Sequence, residues 1–414
     1  MLKAIKIRIY PSNDQVNYIS GLLGTCRFIY NNLLSYKINE YNINNHSVNF
    51  SELGKQLVTI KSEYEWIRLF HSKVLQQSLI NLEKAYSAFF KNGAGFPKFK
   101  SKKDNTHSCR FPSDAFIGVN GNRISLIKQL KDIHYKCSKK DELYLNKNQN
   151  DVRSITLTRT NSNKYYLSVL VDKPNKVLPK PFNDVIGIDL GIKDFIVDSK
   201  GNNYENIKIR RNNEKKLIKL HRQLSKKEKG SKNRDKVRVK LAKAHNKLHN
   251  IKQNYLHNIS NQLLNENQVI VMEDLNIKGM LKNHNLAKSI QELSLYDFKN
   301  KLKYKSEWYG RDIIEINRFF PSSKLCNCCG FKYKTLSLSE RFWVCSSCGT
   351  KHDRDINAAI NIENEGRRIL KIGLSSPEFT LADYPLMDDK VEKPLKSNGK
   401  KKQEKNVISL NFIK

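Results

Sequence analysis

Apolar and charged side chains alternate from Leu2 to Tyr10, with Ile5, Ile7 and Ile9 set against Lys6 and Arg8, which predicts a strand with one buried face. From about Asp14 to Phe90 the spacing becomes helical. Leu22, Leu23, Cys26 and Tyr30 fall on one face, and Leu75, Leu79, Leu82, Tyr86 and Phe89 on another. Residues 91–105 form a loop rich in Gly and Lys. Beyond it, Phe111–Val119, Arg123–Ile127, Val152–Thr160 and Tyr165–Asp172 read as β segments separated by Asn, Gly and Ser turns. Val185–Ile188 and Val269–Met272 are unbroken apolar runs, the pattern of strands buried on both faces. Between them Leu217, Leu220 and Leu224, then Leu241, Ala244 and Leu248, predict two helices hinged at Lys229-Gly230-Ser231. Ala358, Ala359 and Ile362 give a later helix a close-packing face. The stretch 390–414 has no period and carries the run Lys400-Lys401-Lys402, so 376–414 is expected to be a disordered tail.

The 414 residues suggest two or three domains. No apolar run approaches the roughly 20 residues that cross a bilayer, and the charged N-terminus does not read as a secretion signal. A cytoplasmic protein with no membrane partner is expected. Charge then narrows the class. The 75 basic and 40 acidic side chains leave a net +35, which calls for a polyanionic partner. A lysine-rich composition bias accounts for part of that excess, but not for its clustering. Residues 208–247 hold 17 basic and three acidic side chains, a net of +14. A solvated helical face usually mixes both signs.

Cysteines divide the same way. Cys26, Cys109 and Cys137 are scattered, whereas Cys326, Cys328, Cys329, Cys345 and Cys348 are clustered. The spacing C-x2-C-x15-C-x2-C over Cys326, Cys329, Cys345 and Cys348, with a glycine after each pair, lets four thiolates meet around one structural Zn²⁺. Cys328 competes as a ligand within the first knuckle. A disulfide pair is the other reading, and it suits a reducing interior poorly.

Three acids remain conspicuous. Asp189 ends the run Val185-Ile-Gly-Ile and Glu273 ends Val269-Ile-Val-Met, while Asp355 lies in His352-Asp-Arg-Asp at the start of the small-residue helix. Asp189 also reads as a turn cap, and Asp355 as a helix N-cap. If the two strands lie parallel and adjacent, Asp189 and Glu273 share the carboxyl edge of a sheet, where active sites of open α/β sheets lie. Three converging carboxylates need a compensating cation, and Mg²⁺ or Mn²⁺ suits oxygen ligands. Two such ions about 4 Å apart stabilise the attacking and leaving oxygens of a phosphodiester displacement.

In this order the motifs resemble the TnpB family, transposon-encoded RNA-guided endonucleases related to type V CRISPR effectors. The strings that carry the resemblance are Gly187-Ile-Asp189-Leu-Gly191, Val271-Met-Glu273-Asp-Leu-Asn276, Phe320-Pro-Ser-Ser-Lys324 and His352-Asp-Arg-Asp355-Ile-Asn-Ala-Ala359. Leu22–Asn31, Leu75-Gln-Gln77-Ser-Leu79, Gly95–Phe99 and Pro377–Ser397 extend it over essentially the whole chain. The resemblance implies a multidomain α/β protein. Its parts are a ribonuclease H-like RuvC nuclease (181–320 and 351–375), an inserted zinc ribbon (321–350), a small β-barrel wedge domain (1–10 and 107–180) and a helical recognition domain interrupting the wedge (11–106). It implies that Asp189, Glu273 and Asp355 bind two Mg²⁺ ions and cut target DNA directed by a guide RNA from the transposon end. Lys73 and Gln77, four apart on one helix face, fall where the family reads a motif flanking its target, although an exposed polar face is the plainer reading. Arg210, Arg211 and Lys215 of the basic stretch are nominated as nucleic-acid contacts. A strand-transfer transposase, a non-catalytic nucleic-acid-binding regulator and a compact CRISPR effector are the competing functions.

Overall fold

The computed structural model of the chain describes residues 1–375 except 105, 175–177, 180, 182, 207–212, 334–335 and 338–339. The expected tail, 376–414, and Arg210 and Arg211 therefore lie outside the described residues. Two compact units divide the chain, Met1–Gly366 and Arg367–Lys414. Of the second, Arg367–Ser375 is described and is helical. No described helix is long and apolar enough to cross a membrane.

Strand β1 (Leu2–Tyr10) buries Ile5, Ile7 and Ile9, as its alternation requires. It lies inside a seven-stranded antiparallel sheet with β2 (Thr106–Pro112), β3 (Gly118–Asn120), β4 (Arg123–Ser125), β5 (Ile133–Lys136), β6 (Val152–Thr160) and β7 (Tyr165–Asp172). The order is β2-β6-β7-β1-β5-β4-β3, so β2 and β3 are its edges. The β segment expected over Phe111–Val119 is broken, because Pro112 has no N–H to continue the ladder and a 3-10 turn, Ser113–Ala115, follows it.

Three helices precede β2: α1 (Asn13–Asn44), α2 (Phe50–Glu63) and α3 (Ser72–Asn92), of which α1 and α3 pack against β2 while α2 packs on α1 and α3. Local chemistry cuts the single helical stretch expected from the periodicity into these pieces. Ser12 with Gln15 and Asn49 with Glu52 form capping boxes that start α1 and α2, and Asn45 ends α1 in the left-handed region, φ 50°. Leu22, Leu23, Cys26, Tyr30, Leu75, Leu79, Leu82 and Tyr86 share one continuous core with Ile7, Leu157 and Val169. Secondary structure changes at residue 10, but packing does not break there.

The second sheet contains β8 (Asn183–Leu190), β9 (Asp194–Asp198), β10 (Asn203–Glu205), β11 (Asn267–Glu273) and β12 (Asp312–Ile316), in the order β10-β9-β8-β11-β12. Strands β8, β11 and β12 are parallel, and β9 and β10 are antiparallel additions. On one face Ile186, Ile188, Ile270 and Met272 form a core with Leu256, Ile259 and Leu263 of α6 (Lys232–Glu266) and Phe298 and Leu302 of α8 (Leu295–Tyr309). On the other face lies the 354–366 part of α9 (Arg354–Ser375), and glycine permits its close approach. A Cβ on Gly187 would fall 2.1 Å from Ala359 O, and one on Gly366 2.3 Å from Val271 Cγ2.

The basic helices are α5 (Glu214–Ser225) and α6, which turn at Gly230, φ 92°. Ser231 Oγ caps α6 by accepting from Arg234 N, and the Arg234 guanidinium donates to Leu224 O and Lys227 O at the end of α5. A further helix, α7 (His284–Leu293), is tied to α5 by the Lys288–Glu214 ion pair at 2.8 Å. The buried Arg311 side chain donates to Leu264 O at 3.0 Å and Pro179 O at 2.7 Å, which fixes the segment entering β8 against the end of α6.

Candidate active site and metal centre

Strands β8 and β11 pair in parallel with Val271 opposite Gly187 and Met272 opposite Ile188. One residue further on, Asp189 and Glu273 are neighbours. Because side chains alternate along a strand, both lie on the Gly187–Val271 face, beneath α9. The N-cap of α9 is Asp353, whose Oδ1 accepts from Asp355 N at 2.9 Å and Ile356 N at 3.2 Å. The capping role open to Asp355 is thus filled two residues earlier, and Asp355 projects from the first helical turn. Asp189, Glu273 and Asp355 all line one cavity of about 440 Å³, together with Lys193, Arg318, Phe320, Ser322, Arg341 and Arg354.

Electrostatics separate these acids from their neighbours. Burial, then repulsion from Glu273 and Asp355, pushes Asp189 up to about 7, partly opposed by Arg354. Burial also raises Glu273, against the Ser322 hydroxyl that donates to its Oε1 at 2.5 Å. Asp355 pairs with Arg341. Asp274, one residue from Glu273, is held below the usual carboxylate range by Arg318 and Lys299. Its charge is already compensated, whereas among the described residues neither Asp189 nor Glu273 forms an ion pair. Oxygen ligands short of positive charge suit a hard divalent cation.

The four predicted cysteines come together. Their sulfurs lie within 4.8 Å of one another, with Cys326–Cys348 at 3.7 Å and Cys329–Cys345 at 3.6 Å. Metal–sulfur bonds of about 2.3 Å at tetrahedral angles place sulfurs about 3.8 Å apart, so the quartet fits one tetrahedral ion. Gly330 and Gly349 follow the knuckles at φ 76° and 73°, where their N–H groups bond back to Cys326 O and Cys345 O. Cys328 is exposed and stands outside the quartet. His352 Nε2 lies 3.1 Å from Cys326 Sγ, a contact that cysteine spacing does not reveal.

The proposed nucleic-acid residues are dispersed. Lys73 is exposed and pairs with Asp114 of the 3-10 turn after β2. Gln77 lines a separate polar cavity of about 260 Å³ with Arg27, Asn81, Lys100, His107 and Arg110. Lys215 is exposed on α5. Ser322 and Arg341 were not singled out by the sequence. Ser322 lies within the Phe320–Lys324 string, but nothing local marks its partner 49 positions away. Arg341 lies between the two knuckles, where lysines and arginines are common.

Residues 167–284 match a family model described as "Probable transposase", of the OrfB/IS605 type, and residues 296–362 match one described as "Cas12f1-like, TNB domain". Residues 1–46 match a "Helix-turn-helix domain" model, where the structure has β1 followed by the single long helix α1. A Streptomyces pristinaespiralis protein named "Putative RNA-guided DNA endonuclease" is 33% identical over 363 residues, covering 87% of this chain and 88% of the relative. The chain belongs to the TnpB family. InsQ of Escherichia coli K12, which carries the same description, is 28% identical over 408 residues, covering 94% of this TnpB-family chain and 98% of the relative. The fold is shared with Cas12f1, solved by cryo-electron microscopy in complex with sgRNA and target DNA. The TM-score is 0.54 at 13% identity, over 88% of this chain and 99% of that one.

Proposed function

We propose that this chain is an RNA-guided DNA endonuclease that hydrolyses target-DNA phosphodiesters at Asp189, Glu273 and Asp355. The observation that carries the reading is the meeting of these three carboxylates, from β8, β11 and α9, around one cavity in a protein of charge +35. Mixed strand order and parallel β8, β11 and β12 support a ribonuclease H-like, RuvC-type nuclease over 181–320 and 351–375, interrupted by a zinc ribbon at 321–350. The seven-stranded sheet is read as the wedge, 1–10 and 107–180, and α1–α3 as the recognition domain, 11–106.

Two Mg²⁺ or Mn²⁺ ions held by the three acids would supply the charge that activates water and stabilises the leaving oxygen. The residues around them have definable tasks. Ser322 favours the ionised form of Glu273 by donating to it, against the burial that opposes ionisation. Arg341 and Arg354 present guanidinium groups to a phosphate entering the cavity. Zn²⁺ held by the cysteine quartet would fix the two knuckles between which Arg341 lies. Guide RNA, supplied by the transposon end, neutralises α5 and α6 through Lys215 and its neighbours, while Lys73 and Gln77 contact the duplex that flanks the target. Base pairing then selects the sequence, and the protein binds backbone and shape.

The test is to sequence the RNA that copurifies with the protein and to offer a matched DNA library with Mg²⁺. A discrete RNA and cut targets sharing one flanking motif are expected. Random cellular RNA and intact DNA would instead indicate a binding regulator, and RNA-independent joining of transposon ends would indicate strand transfer.

A further inference from the structure

One short strand joins the cysteine quartet to the acid cavity. Strand β14 (Lys351–Asp353) pairs with β13 (Phe342–Val344), which sets His352 opposite Trp343 and Asp353 opposite Phe342. Alternation turns His352 to one side of the strand and Asp353 to the other. His352 is buried and brings its Nε2 to 3.1 Å from Cys326 Sγ. Asp353 caps α9, and two residues further on Asp355 lines the cavity.

Little freedom is left to this link. The imidazole lies against the buried Trp343 ring, centroids 4.5 Å apart. Backbone bonds tie down both ends of the strand, Cys345 N donating to Thr350 O at 2.9 Å and Arg354 N to Arg341 O at 2.7 Å. Cys329 and Cys348 are exposed, so water can solvate their sulfurs, whereas Cys326 is buried. A buried thiolate needs a donor as well as a metal to hold its charge, and His352 stands where that donor is needed.

Groups that hydrogen-bond to a metal ligand orient it and tune its basicity. We infer that His352 is a positioning residue of the acid site: its Nε2–H donates to the metal-bound Cys326 thiolate, and through β14 that bond sets the place of Asp353 and hence of Asp355. The tautomer required carries its proton on Nε2. For its effect on cleavage the inference rests on the endonuclease reading, and it gives the ribbon a task in aligning one of the three carboxylates.

The test uses the full chain with its copurified RNA and Co²⁺ in the cysteine quartet, where thiolate-to-cobalt charge-transfer bands report on the sulfurs. His352→Phe keeps a ring against Trp343 and removes the N–H, and His352→Gln returns a donor at about the reach of Nε2. His352→Phe should shift the bands and weaken the Mn²⁺ binding that depends on Asp189 about tenfold. It should lower kcat by a similar factor, with KM and retained RNA unchanged, and His352→Gln should move all of these back toward wild type. Wild type loaded with ¹¹³Cd should show scalar coupling between the metal and the imidazole N–H proton, a reading that stands even where His352→Phe fails to fold. Absence of that coupling, or unshifted bands in a folded His352→Phe, would overturn the hydrogen bond. Shifted bands with unchanged Mn²⁺ binding would overturn its link to Asp355. If wild type cuts nothing, the endonuclease reading falls, while the coupling, the bands and Mn²⁺ binding still decide the role of His352.

Discussion

Ser322 donates its hydroxyl hydrogen to Glu273 Oε1 at 2.5 Å, and its carbonyl accepts the Asn361 side-chain amide at 2.8 Å. Asn357 and Asn361, both buried on α9, also donate to Leu325 O at 2.8 and 2.6 Å. The turn entering the ribbon is thus bonded to the strand that carries one acid and to the helix that carries another. Buried amides with partners this complete fix geometry, here that of Glu273 relative to Asp355.

Removing the hydroxyl changes a protonation equilibrium. Burial raises Glu273 and the Ser322 hydrogen bond opposes that rise, so Ser322→Ala should raise it further. A hydrogen bond to a charged group contributes about 1.5–3 kcal/mol. The acidic limb of the cleavage pH–rate profile should therefore move up by about one to two pH units, with guide RNA binding unchanged.

Asp189 gives stability a sign. Its folded-state pKa of about 7 lies above the ordinary carboxylate value, so the folded state holds a proton that the unfolded state has released. Its contribution is therefore present below about pH 4 and is lost as pH rises through about 7. Without added divalent ion, the Tm of wild type relative to Asp189→Asn should fall between pH 5 and pH 8. Mg²⁺ should raise the wild-type Tm more at pH 8 than at pH 5, because the protonated acid must ionise to bind it. A pH-independent difference would contradict the shift.

Gly187 is where sheet and helix touch. Its added Cβ would meet backbone atoms at both Ala359 and Glu363, which no rotamer change relieves. Gly187→Ala should cost about 3 kcal/mol in denaturant unfolding, at the upper end for overpacking, and should lower cleavage further by lifting Asp355 away from Asp189.

Elemental analysis separates the cysteines. Wild type should hold one zinc per chain. Cys328→Ser should keep it, and Cys329→Ser should lose it together with the thermal stability of the ribbon.

Residues adjacent in sequence were readable where the chemistry is local. The apolar runs ending in Asp189 and Glu273 mark β8 and β11, the cysteine spacing marks the quartet, and Gly230 marks the turn between α5 and α6. Strand β12, Asp312–Ile316, escaped because its side chains are half-buried and alternate weakly. Strand β5 and helix α4 (Lys139–Lys147) escaped because the first is only four residues long and the second is short and polar at both ends. At Asp353 and Asp355 the sequence offers two acids for one cap, and only backbone placement decides between them. The contacts of Arg341 and Ser322 with the acids join residues that folding alone brings together.

The most direct test compares Asp189→Ala, Glu273→Ala and Asp355→Ala in two assays on the same preparations, cleavage of the RNA-matched target with Mg²⁺ and retention of the copurified RNA. Each variant should lose cleavage by about a hundred- to a thousandfold, the scale expected when catalytic charge stabilisation is removed, and should retain RNA as wild type does. Cleavage persisting in any of the three, or RNA lost in step with cleavage, would contradict the assignment of these carboxylates to one metal-dependent active site.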